Sequence, residues 1–251
     1  MKRTQWFRVA ILLALIAMIA AACGSSDSKK STTTTTTSSA ASSAAEGSAG
    51  GKLVGTFKIT AGDCAAGAVT AGSYFQMVQS GGTIEAGPYV PNADSTCGDK
   101  NFSALIPGAD GGLITGRFQT QPPSPFDAAK NGVALLIVQP LKFFGTGFAV
   151  STNPTDPQTS AAVTAPSITA DAEGKLTGDL RAVTVAWNGQ QFNQGSPKPD
   201  DSHPGNTKDL TGTYDSATGA YTLQWSSEIV GGPFNGFTGI WHLVGTFVAT
   251  K

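Results

Sequence analysis

Side chains alternate strictly along the second arm of T-Y-D-S-A-T-G-A-Y-T-L-Q-W. Tyr221, Leu223 and Trp225 fall on one side; Thr222, Gln224 and Ser226 fall on the other. A period of two belongs to a strand with one buried face, and Asp215 to Gly219 supply the turn of a hairpin. The pattern recurs. K-L-V-G-T-F-K-I-T puts Leu53, Phe57 and Ile59 opposite Thr56 and Lys58, and S-I-T-A-D-A-E-G-K-L-T-G-D-L turns at Glu173 and Gly174. Leu180 to Trp187, Ile240 to Thr250 and the more uniformly apolar Val133 to Val138 are further predicted strands. Tyr74 to Gln79 fits a strand or a helical turn, and the prolines between Pro122 and Pro125 forbid regular structure there. These signals predict an all-β chain, a single β-barrel or β-sandwich over residues 52–251.

One pentapeptide occurs twice. L-V-G-T-F spans Leu53 to Phe57 and again Leu243 to Phe247, in the first and last predicted strands. Equivalent or neighbouring places in one sheet are expected of them, and such pairing closes a sheet and removes its exposed edges. Glycines inside strands, Gly55 and Gly245, mark a bend or a close backbone approach.

The amino terminus has a different character. Lys2, Arg3 and Arg8 precede fourteen uninterrupted apolar residues, Val9 to Ala22, and then Cys23. That run is too short for the about 20 residues a bilayer span needs. A charged start, a short apolar core and the small residues Ala20, Ala21 and Ala22 form a secretory signal over residues 1–22. With Cys23 directly following, the segment resembles the bacterial lipobox. The resemblance implies that Cys23 is lipid-modified, palmitate included, and becomes the first residue of a protein held on the outer face of the cytoplasmic membrane. Residues 23–51 carry six consecutive threonines, Thr32 to Thr37, then little but Ser, Ala and Gly. Such a composition cannot offset the entropy of ordering, so a disordered tether is expected. As a flexible coil it spans on the order of 30 Å. Thr-rich tethers behind a lipobox resemble those of actinobacterial lipoproteins.

Charge and cysteine content narrow the partners. Loss of the signal lowers the basic residues from 16 to 13 against 17 acidic ones, a net charge of −4. That balance excludes a general nucleic-acid binder. The remaining cysteines, Cys64 and Cys97, predict one disulfide in an exported protein.

Catalytic signatures are missing: there is no G-x-S-x-G, P-loop, dinucleotide fingerprint or H-E-x-x-H. Neither an enzyme nor a cofactor is expected. Asp200, Asp201 and His203 stand within four residues and are the weak candidates for a metal site or an acid–base pair; turn formation competes for them. Asp94, Asp99, Asp110 and Asp156 sit among turn formers without calcium-loop spacing. Aromatics interleaved with amides are the remaining candidates: Trp187 and Phe192 in W-N-G-Q-Q-F-N, and Phe234, Trp241 and His242 in and after G-G-P-F-N-G-F. Stacking with amide hydrogen bonds suits a small hydrophobic or glycan ligand. The expected role is non-catalytic binding of such a ligand or of an envelope partner. An envelope hydrolase built on Asp200, Asp201 and His203 and a purely structural surface protein are the alternatives.

Overall fold

A twelve-residue strand, Thr238–Ala249, organises the domain. The computed structural model describes residues 50–64, 69 and 71–250, which belong to one contact unit, Ser43–Lys251. The expected signal peptide, Cys23 and all of the tether but Gly50 and Gly51 lie outside the described residues. In chain order the strands are β1 (Gly51–Leu53), β2 (Gly55–Ile59), β3 (Tyr74–Thr83), β4 (Gly87–Tyr89), β5 (Ser103–Ala104), β6 (Gly112–Ile114), β7 (Leu141–Phe143) and β8 (Thr146–Thr152). They continue with β9 (Ser167–Ala170), β10 (Lys175–Asp179), β11 (Val183–Trp187), β12 (Gln190–Asn193), β13 (Lys208–Tyr214), β14 (Ala220–Glu228) and β15 (Thr238–Ala249). The fold is all-β.

The larger sheet runs β1-β9-β10-β13-β14-β15-β2-β6, with β3 joined to β15 and carrying β4 and β5. Only Val54 separates β1 from β2, yet β1 pairs with β9 and β2 pairs with β15. The strand order therefore returns to its own first strand, and the sheet is curled. The strands that carry the repeated pentapeptides, β2 and β15, are antiparallel neighbours, with Phe57 opposite Phe247 and Ile59 opposite Gly245, while Leu53 pairs with Ile168 of β9. Their glycines are needed where the backbones approach. A Cβ on Gly55 would lie 2.2 Å from the Val248 carbonyl oxygen, and one on Gly245 would lie 1.8 Å from that of Lys58.

β15 changes neighbours along one edge. Its first half, Thr238 to His242, pairs with β3, and its second half, Gly245 to Ala249, pairs with β2. Val244 sits at the handover. The Ser73 hydroxyl donates to its carbonyl at 3.2 Å and accepts its N–H at 3.0 Å, so both groups are satisfied.

The second sheet, β12-β11-β8-β7, shares the core of the first. Phe148 on β8 packs against Phe75 on β3, with centroids 5.0 Å apart, and against Trp241 on β15 at 6.0 Å. Within the large sheet Trp241 stacks on its cross-strand partner Trp225, 5.6 Å away and nearly parallel. The alternation read on β14 holds, with Tyr221, Leu223 and Trp225 buried. Cys64 and Cys97 form the expected disulfide, their Cα atoms 4.9 Å apart.

Three expectations are refined. Tyr74 to Gln79 is strand, the start of β3. The strand expected from Leu180 begins at Val183. Asp179 Oδ1 accepts the N–H of Arg181 and the Leu180 N–H goes to Ser196, which turns the chain there. Val133 to Val138 is not a regular strand. Its carbonyls at Leu135, Leu136 and Ile137 take N–H groups from Ala109, Asp110 and Gly108, an irregular pairing that leaves Leu135 exposed.

Candidate functional site

Three tight connections meet at one end of the two sheets. The β7–β8 turn, Phe144 and Gly145, and the β11–β12 turn, Asn188 and Gly189, each have two successive positive φ angles. Two-residue turns of that hand match the twist of the strands they join. The third connection, Ile229 to Phe237 between β14 and β15, reads I-V-G-G-P-F-N-G-F. Gly231, Gly232 and Gly236 supply its positive φ angles. It is closed mainly by its own bonds: Ile229 N–H to the Phe237 carbonyl at 2.7 Å, Gly236 N–H to the Ile229 carbonyl at 2.8 Å, and Gly231 N–H to Asn235 Oδ1 at 2.7 Å. The Gln158 side-chain amide donates to the Val230 carbonyl from outside.

This loop points Phe234 inward. Its ring stands 5.2 Å from Trp187, 5.5 Å from Phe237, 5.9 Å from Phe144 and 6.4 Å from Phe143. Beneath it lies a cavity of about 20 Å³ lined by Phe75, Met77, Phe143, Phe148, Val185, Trp187, Phe192, Gln194, Ile229 and Phe234. That is room for about one water. Above it, Phe144 and Val230 are exposed, at 48% and 46%.

Polar groups at the cavity are already committed. Trp187 donates its indole N–H to the Phe143 carbonyl at 2.7 Å. Gln194 accepts the Trp241 indole N–H on Oε1 at 3.2 Å and donates its amide to the carbonyls of Asn193 and Ser227. The void therefore offers hydrocarbon and ring faces, and both amide hydrogens of Gln194 are already spent.

Of the five aromatic and imidazole candidates, the structure brings Trp187, Phe192 and Phe234 together. Trp241 stands deeper and lines a second void of about 10 Å³. His242 is on the outer face of β15, stacked on Tyr74 at 4.8 Å. Burial holds its imidazole below the usual histidine range and pushes the Tyr74 phenol up. Its Nδ1 has no hydrogen-bond partner among the described residues. Sequence reasoning missed Phe75, Phe143, Phe144, Phe148 and Gln194. The doublet K-F-F-G-T was the available signal, since a turn at F-G between strands puts one phenylalanine in and the next at the tip.

The three residues of the acidic loop turn to different partners. Asp201 pairs with Arg181 at 2.8 Å, and Asp200 accepts the N–H and hydroxyl of Ser202, which keeps its carboxyl below the ordinary range. His203 Nε2 meets Asp209 at 2.7 Å, but both side chains are largely exposed. Among the described residues no group of three His, Cys, Asp or Glu is placed to hold a metal ion. The same loop buries an unexpected cation, Lys198. Its ammonium donates to the Ser227 hydroxyl at 2.6 Å and the Asn193 carbonyl at 3.1 Å. Burial lowers its pKa to about 8.

Two wider grooves, of about 270 and 350 Å³, are open depressions in which some of the lining polar groups already have partners. In the first, Asn92 donates to Ser103 and to the Lys142 carbonyl, and Asp94 accepts Gly145 N–H. In the second, Asp171 and Asp215 accept N–H groups of their hairpin turns.

No family model matches the chain, and neither a curated protein nor a solved structure matches it.

Proposed function

We propose that this is a lipid-anchored protein of the bacterial cell envelope whose β domain binds, without catalysis, the apolar part of a small ligand. The apolar, largely aromatic lining beneath the Ile229–Phe237 loop carries the reading. Small-molecule sites are concave and mostly apolar, with few polar groups. The commitment of Gln194 to Trp241, Asn193 and Ser227 favours a hydrophobic ligand over a glycan. A hydrolase needs a base inside a cleft, and the exposed His203–Asp209 pair lacks one. Cys23 supplies the anchor in this reading, and the disulfide suits an oxidising compartment outside the cytoplasm.

Native mass spectrometry of the full chain, purified from its own envelope, tests the binding role. A non-covalent adduct lost on unfolding is the expected result; consistently adduct-free protein would overturn it. Cys23→Ser tests the anchor. Release into the medium is expected, and unchanged membrane association would contradict lipidation.

A further inference from the structure

The void beneath Phe234 is too small for a ligand, yet its walls have the character of a ligand site. Phe234 resolves the conflict. Its ring fills the mouth of the void against Trp187 and is held by a loop whose hydrogen bonds are mostly its own. The loop rests on β12 through a glycine: a Cβ on Gly232 would meet Gln190 Oε1 at 2.6 Å and the Phe192 ring at 2.8 Å. When the loop lifts, the contacts of Phe234 with Trp187, Phe143 and Phe144 are exchanged for contacts with ligand, and Gly231, Gly232 and Gly236 give the loop backbone freedom at both ends. The exposed Phe144 ring lies stacked beside Phe234, 5.9 Å away, so an apolar surface leads from solvent to the mouth.

We infer that Phe234 is an internal stand-in for ligand: the site takes the hydrocarbon end of an amphiphile, which displaces the Phe234 ring and leaves its polar end at the rim. This rests on the proposed binding role and adds where the ligand sits and which of its parts is buried. Vacating the ring joins its volume to the void. The deepest part of the ligand is then on the order of six carbons, the size of the ring it replaces, as an apolar cavity of about 150 Å³ holds benzene. Because both amide hydrogens of Gln194 and the Trp187 indole N–H are committed, that part carries no acceptor in need of a donor.

The test is titration of the full chain with the uncharged probe N-phenyl-1-naphthylamine, read by energy transfer from tryptophan. Phe234→Ala is expected to bind at least tenfold more tightly than the parent, with Phe234→Leu between them. Each complex should melt higher as probe is added, which separates binding by the folded protein from uptake by loosened chains. If parent and variants bind with one affinity, the stand-in is wrong while the binding role survives. If neither the parent nor either variant binds saturably, both fail. Melting points that fall with added probe also count against the site.

Discussion

Gln194 accepts the indole N–H of Trp241 on its side-chain oxygen at 3.2 Å, while its backbone carbonyl takes that of Trp225 at 2.9 Å. One residue on the 194–207 connection thus satisfies both members of the stacked tryptophan pair and forms part of the cavity wall. Gln194→Leu keeps the shape and strands the Trp241 donor. A loss of about 1–3 kcal/mol is expected in urea unfolding, the usual cost of a buried unsatisfied group. An unchanged midpoint would mean that Trp241 finds another acceptor.

The pairing of β2 with β15 depends on the glycine opposite Ile59. Gly245→Ala puts a methyl 1.8 Å from the Lys58 carbonyl oxygen, and about 3 kcal/mol of destabilisation is expected from such overpacking. Gly51→Ala is the matched control, with nothing within 4 Å of its Cβ. It should stay within about 0.5 kcal/mol of the parent. Equal effects at the two positions would refute the close approach.

The Cys64–Cys97 bridge spans a sequence separation of 33. The double variant with serine at both positions should lose about 3–4 kcal/mol, the loop-closure value. Comparison of denaturant midpoints checks this, and reduction of the parent should reproduce the shift.

Lys198 gives stability a distinctive pH dependence. Its folded pKa is about 8 against an ordinary 10.5. Between these values the unfolded chain holds the proton and the folded chain does not, so stability rises with pH across that window. The slope from this one group reaches at most about 1.4 kcal/mol per pH unit. Lys198→Met should lack it. Parallel stability curves for parent and variant between pH 8 and 10.5 would show that Lys198 is not depressed.

The hairpins at Asp171–Gly174 and Asp215–Gly219 were legible because turn residues and a period of two coincide there. The pairing of first and last strands was legible in the L-V-G-T-F echo. Val133 to Val138 misled because an apolar run records burial without recording where its backbone bonds go. Trp187, Phe192 and Phe234 were visible as aromatics beside amides. Phe75 and Phe148 were not, since only the packing of the second sheet on the first makes them cavity walls. Lys198 carries no local signal of burial among the prolines and aspartates around it; Ser227 and Asn193 enclose it only in the folded chain.

The most direct measurement is methyl-resolved NMR of the full chain with bound N-phenyl-1-naphthylamine. Nuclear Overhauser effects from probe protons to the methyls of Met77, Val185 and Ile229, which line the void, are the expected result. Effects confined to the exposed Val54, Val230 and Val248, with none inside, would contradict an apolar site beneath Phe234.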